Sequence, residues 1–170
     1  MLKVSISERI LNDLTLEKLN KSIKKKKIDF LGEGYSRSVY DLKNLCLNGL
    51  VFKMSKASSE IGYAQTVEEY EIFLKSKDNP LHLKYIAKIV KSFGKYGHVM
   101  EKASEVGNIH ELHRKLNIHC NNIELDHVLE KFGVYKNDIY DVDKNAGLFG
   151  NEVKIIDYGF TNNTYNRNIA

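Results

Sequence analysis

Apolar residues recur near the start of the chain at Ile10, Leu11, Leu14, Leu16, Leu19 and Ile23. This spacing predicts an amphipathic helix over residues 5–27, with a break near residues 13–15. Ser7 suits its N-cap, and the run Lys24-Lys25-Lys26-Lys27 suits its C-terminus by complementing the helix dipole. Residues 1–29 therefore read as a helical brace packed on the lobe formed by the next residues. The period then shortens. Phe30 and Leu31 lead into Gly32-Glu33-Gly34, residues 36–42 alternate, and Leu50-Val51-Phe52-Lys53-Met54 is a second apolar strand after the Asn48-Gly49 turn. A helix is predicted over residues 62–74, with Val67, Tyr70 and Leu74 on one stripe and Ile72 and Phe73 extending it. Asp78-Asn79-Pro80 ends that helix. Strands are predicted at residues 85–90 and 98–103, joined by a turn at residues 94–97. That makes five strands and one main helix by residue 103.

Residues 104–132 return to helical spacing, with apolar residues from Ile109 to Phe132 and Asn121-Asn122 separating two helices. Gly150-Asn151 is a turn between two short apolar strands, the second of which ends abruptly in Asp157.

A length of 170 residues fits one domain, with room for two small lobes. The net charge of +4 is mild, and the lysine run reads as a solvated helix end, so no nucleic acid is expected as a partner. Cys46 and Cys120 lack a disulfide framework, which points to a reducing compartment. No apolar run approaches membrane length and no signal core opens the chain, so a cytoplasmic protein without a membrane partner is expected. His110, His113, His119 and His127 lie near Cys120, but no zinc-ligand spacing appears among them, and they read as solvent-facing or capping residues.

Two stretches carry candidate chemistry. The glycine turn at residues 32–34 lacks Cβ atoms and lets the backbone approach a bound group. Lys53 stands in an apolar strand, where an unpaired ammonium is costly and a partner is required. On the next helix, Glu69 can lie at the edge of the buried side, with Glu68 the alternative one position round. At the far end of the chain, Asp157 closes a buried strand and Asn145 precedes its sister strand. Two oxygen ligands a hairpin apart suit Mg²⁺, which takes few protein ligands and completes its shell with phosphates and water.

In this order the motifs resemble those of protein kinases. Residues 32–39, Gly-Glu-Gly-Tyr-Ser-Arg-Ser-Val, are similar to the glycine-rich loop, with Arg37 where a third glycine often sits. Val51-Phe52-Lys53 resembles the lysine strand, and Asp157-Tyr158-Gly159 resembles D-F-G. Across residues 30–162 the chain looks most like small serine/threonine kinase-like proteins of bacteriophages. The resemblance implies an α+β, protein kinase-like fold. Residues 30–103 would form a five-stranded antiparallel small lobe with one main helix, and residues 104–170 a truncated, mainly helical large lobe with a metal-binding hairpin. It implies ATP and Mg²⁺ as cofactors. Gly32, Gly34, Ser36 and Val39 would cover the nucleotide, Lys53 would meet the α/β-phosphates, and Glu69 would orient Lys53. Met100 would wall the adenine pocket, the backbone of Glu101 to Ala103 would meet the purine edge, and Asn145 and Asp157 would hold the metal.

Two departures shape the functional expectation. The position of the catalytic base, five residues before Asn145, is Tyr140, which leaves Asp138 and Asp141 as candidates. The chain ends eleven residues after Gly159, without the A-P-E motif or a substrate platform. The expected function is an ATP/Mg-dependent phosphotransferase whose acceptor is a protein, a small molecule or the chain itself. The alternative is a pseudokinase that uses the fold to engage and modulate a host or partner protein, with or without nucleotide.

Overall fold

The alternation in the first half of the chain resolves into a single antiparallel sheet. In the computed structural model, which describes residues 6–57, 59–104, 123–134, 145–161 and 164, the strands are β1 (Asp29–Glu33), β2 (Arg37–Asp41), β3 (Leu50–Ser55), β4 (Ile89–Ser92) and β5 (Gly97–Glu101). They lie in the order β1-β2-β3-β5-β4. Helices flank the sheet, and the protein is mixed α+β.

The period of two along each strand sorts the residues onto two faces. Leu50, Phe52, Met54 and Val99 face a cluster built with Leu14, Leu19 and Ile28. Helices α1 (Ile6–Asp13) and α2 (Leu16–Lys24) deliver much of it. Val51 and Met100 face the other way, toward Ile72, Phe73, Ile155 and Tyr158. The two helices part at residues 14 and 15, where the spacing placed a break. Thr15 accepts from the Lys18 backbone N–H at 3.2 Å and so starts α2 afresh. Ser7, expected as a cap, lies inside α1.

The main helix, α3 (Glu60–Ser76), is longer than expected and turned about its axis. Val67 is 44% exposed and Leu74 37%, whereas Gly62, Gln65, Thr66, Glu69, Ile72, Phe73 and Ser76 are buried. The buried stripe is rich in polar groups because the sheet offers them partners. Thr66 Oγ1 lies 2.6 Å from Ser55 Oγ, and Ser36 Oγ donates to Gln65 Oε1 at 2.6 Å. Ile72 and Phe73 face inward as expected and Tyr70 packs against the core, but Val67 and Leu74 do not, because hydrophobicity alone does not register the polar half of the buried stripe.

Two further corrections come later in the chain and at the glycine turn. The main helix ends at Ser76, just before Asp78-Asn79-Pro80, but Asn79-Pro80 also serves as the N-cap and first residue of a further helix, α4 (Pro80–Tyr85). Tyr85 therefore closes a helix, and the strand expected from residue 85 begins only at Ile89. Gly32 sits inside β1, opposite Val39 and beside a bulge, so the turn proper is Gly34-Tyr35-Ser36. There the Gly34 N–H donates to the Arg37 carbonyl at 2.9 Å.

Helix α5 (Ile123–Lys131) carries His127. The remaining helix-patterned stretch, with His110, His113, His119, Cys120 and Asn121-Asn122, lies outside the described residues, as do Asp138 and Asp141. Strands β6 (Ala146–Phe149) and β7 (Glu152–Ile155) form the hairpin around Gly150, whose φ of +62° favours glycine. The hairpin docks through Ala87 N–H to the Ile155 carbonyl at 2.9 Å and Ser104 N–H to the Leu148 carbonyl at 2.8 Å. Among the described residues no helix is long and apolar enough to cross a membrane.

Candidate functional site

A cleft of about 930 Å³ opens between the sheet and the hairpin. Its lining includes Gly32, Gly34, Ser36, Arg37, Val39, Val51, Lys53, Met100, Glu101, Ala103, Asn145, Ile156 and Asp157. All the residues assigned from sequence to the nucleotide or the metal are thus on one cavity. Glu69 lies beneath it, wholly buried at 0% exposure. Glu68, the alternative, is only half-buried.

Three neighbouring strands aim nitrogen groups at that one carboxylate. Register places Lys53 opposite Val39 on one side and His98 on the other, with Arg37 two residues from Val39 on the same face. Lys53 Nζ lies 3.1 Å from Glu69 Oε1, and Arg37 Nη1 lies 2.9 Å from Glu69 Oε2. His98 Nε2 stands 2.8 Å from Glu69 Oε2, close enough for charge attraction without the alignment of a hydrogen bond. Burial by itself raises the pKa of Glu69, yet the attraction of Lys53, Arg37 and His98 overrides it and holds the carboxyl far below its ordinary range.

Asp157 is tied into the same cluster. Lys53 Nζ lies 3.4 Å from Asp157 Oδ1, and Arg37 Nη2 donates to that same oxygen. The backbone on either side pins the carboxylate in place. Ile156 N–H donates to the Asn145 carbonyl at 2.8 Å, and the Ile156 carbonyl accepts from Lys53 Nζ at 2.9 Å. Tyr158 N–H donates to Glu69 Oε1 at 3.1 Å, and its hydroxyl donates to the Ala87 carbonyl at 2.9 Å. Burial first, and then Glu69, pushes the Tyr158 phenol well above its usual range, so it remains a donor.

Gly159 completes the lock, since a Cβ there would strike the Gln65 carbonyl. Gly159→Ala should destabilise the protein by roughly 1–3 kcal/mol, the cost of overpacking against a rigid backbone. Urea unfolding checks it, and a loss below ~0.5 kcal/mol would mean that this contact yields easily.

Acid should weaken the cluster in two stages. Burial holds the His98 imidazole below its ordinary 6.5; Glu69 pulls it upward, and Lys53 and Arg37 push it down again. The unfolded chain therefore takes up this proton first, and stability falls as pH drops below 6.5. Burial depresses His82 too, with the same sign. Glu69, depressed below its ordinary 4.5, adds a second loss as pH falls beneath that value. Urea midpoints should decline between about pH 7 and about pH 5, by at most ~1.4 kcal/mol per pH unit for each group, and His98→Gln should flatten part of the decline.

Several members of this site escape a motif-based reading: Arg37, His98, Gln65 and Tyr158. For two of them a signal exists. Arg37 and His98 occupy inward positions of their strands by the same period of two that exposes Lys53 as anomalous.

The donor set is a poor fit to Mg²⁺. Asp157 Oδ1 already serves a guanidinium and an ammonium, and two carboxylates face two permanent cations. Among the described residues no cluster of three His, Cys, Asp or Glu side chains could hold a metal ion. The apolar end of the cleft has a different character. Val51 and Met100 are paired in register there, two residues along the strands from the Lys53–His98 pair, about 7 Å. A flat apolar group and an anion separated by that distance could be held together. No model of a known protein family matches the chain, and no curated protein matches it.

Proposed function

We propose that the cleft binds ATP and that the chain is a phosphotransferase of the protein kinase-like type, most like the small serine/threonine kinase-like proteins of bacteriophages. One observation carries this reading. Lys53 Nζ is held between Glu69 and Asp157 at the floor of a cleft whose rim is the glycine turn. A fixed ammonium at that depth suits the phosphates, while Leu31, Val39, Val51, Met100 and Ile156 offer apolar walls for a purine. The Glu101 and Lys102 N–H groups are engaged by the Lys88 and Gly49 carbonyls, which directs the purine edge to the Ala103 backbone.

In the transfer step, an acceptor oxygen bonds to the γ-phosphorus as the bond from that phosphorus to the bridging oxygen of ADP breaks. The acceptor proton passes to Asp138 or Asp141. Positioning and charge neutralisation supply most of the catalysis in such reactions. The protein's part is to hold the phosphates against Lys53 and Arg37 in the cleft. The acceptor would be a protein, a small molecule or the chain itself.

A second reading is a pseudokinase, a module that binds nucleotide and engages a partner without transfer. The grip of Arg37 on Asp157 favours it, because a metal ion would have to share Asp157 Oδ1 with a guanidinium.

Thermal unfolding with ATP, followed by transfer of radiolabelled γ-phosphate, tests both readings. Saturation at a hundredfold excess over Kd should add about 2.7 kcal/mol of stability. Stabilisation with transfer supports the phosphotransferase; stabilisation without it leaves the binding module; neither result abandons the nucleotide. Gly34→Ala sharpens the test. A Cβ at Gly34 meets nothing within 4 Å and its φ is not positive, so stability should change by less than ~0.5 kcal/mol. ATP affinity should nonetheless fall. Unchanged affinity would remove the glycine turn from the phosphate site.

A further inference from the structure

We infer that the cleft takes its nucleoside triphosphate without a divalent cation, and that the Arg37 guanidinium supplies the charge that a metal ion would otherwise bring. The inference rests on the proposal that the cleft binds nucleotide and goes beyond it.

Three features of the cluster carry it. The first is charge. Lys53 and Arg37 are both buried and both within ion-pair reach of Glu69 and Asp157, so two positive groups already balance two negative ones. A divalent ion entering here finds no uncompensated carboxylate. An arriving polyphosphate competes with Glu69 and Asp157 for the charge of Lys53 and Arg37, both of which lie on the cleft wall.

The second is anchoring. Arg37 is only 4% exposed, and its strand position is fixed by pairing with Ser55. Its two terminal nitrogens hold two different carboxylates, one from α3 and one from the end of the hairpin. A guanidinium bound in this way is part of the framework and does not swing aside like a surface side chain. To reach Asp157 Oδ1, a metal must break charge-assisted hydrogen bonds and shed tightly held water. The same oxygen also lies within 3.4 Å of Lys53 Nζ.

The third is placement. Arg37 lines the cleft beside Gly34 and Ser36, directly under the turn, on the path the phosphates would take to Lys53. A planar guanidinium at that place is a ready partner for phosphate oxygens. A residue that merely plugged a hole in the fold would not need to lie on the cavity wall.

Isothermal titration of the whole chain with ATP, once in EDTA and once in excess Mg²⁺, decides the matter. Affinities within about threefold of one another are expected. Binding at least about tenfold tighter in Mg²⁺ overturns the inference and leaves nucleotide binding standing. No heat in either buffer overturns both. Arg37→Gln, with its fold checked by circular dichroism and melting, should lose about tenfold or more of the EDTA affinity. An unchanged EDTA affinity in that variant would overturn the proposal. Asp157→Asn releases Arg37 without removing it, and keeps the shape of the site. It should hold or improve ATP affinity in EDTA, since a negative charge beside the phosphates is gone. A loss confined to the Mg²⁺ buffer would instead reveal Asp157 as a metal ligand and overturn the inference.

Discussion

Glu69→Ala should cost about 3–5 kcal/mol of stability, because it leaves Lys53 and Arg37 in the interior with one carboxylate, Asp157, in place of two. The carboxylate has no exposure and accepts from Lys53, Arg37 and the Tyr158 N–H, so no water can replace it cheaply. It also joins helix α3, strands β2 and β3, and the segment after β7, so its loss loosens four parts of the chain together. Urea unfolding should show a lower midpoint with an unchanged slope. Glu68→Ala is the matched control, one residue away and half-buried, and should shift stability by less than ~0.5 kcal/mol. A Glu69→Ala loss under ~1 kcal/mol would contradict the buried cluster.

Lys53→Met should sharply weaken the response to ATP. The substitution keeps an unbranched chain of similar length and removes the ammonium. A lost charge-assisted contact is worth ~1.5–3 kcal/mol, a fall in affinity of roughly ten- to a hundredfold. Its effect on folding should be smaller than that of Glu69→Ala, for a specific reason. Glu69 keeps Arg37 at 2.9 Å and His98 at 2.8 Å, and with Lys53 gone His98 takes up a proton more readily. The variant should therefore fold and yet bind ATP far more weakly. Retained ATP stabilisation in thermal unfolding, at the same nucleotide concentration, would remove Lys53 from the site and the proposed function with it.

How much of this was legible depends on the element. The strand alternation is local, and it yields the five strands because each inward residue needs an apolar or paired environment every second position. Lys53 announced itself by being charged in such a row. Asp157 and Gly150 were legible for a similar reason, as an abrupt polar end and a turn. The orientation of α3 was not. Its buried face carries Gln65, Thr66 and Glu69, and only the presence of Ser36, Ser55 and Lys53 across the gap makes those residues interior. Asn79-Pro80 was ambiguous because the same pair both ends one helix and starts the next.

The amino-acid order alone determined where the backbone pleats, where it turns, and that one lysine would be buried and in need of a counter-charge. These depend on interactions between residues a few positions apart. Between the two candidate carboxylates, Glu69 and Glu68, only the fold chose, and that an arginine from the neighbouring strand answers both Glu69 and Asp157 was decided only when residues 32 and 120 positions apart came together. Charge partners act through space with no preferred sequence separation, so the chain written out in a line does not show which of them will meet.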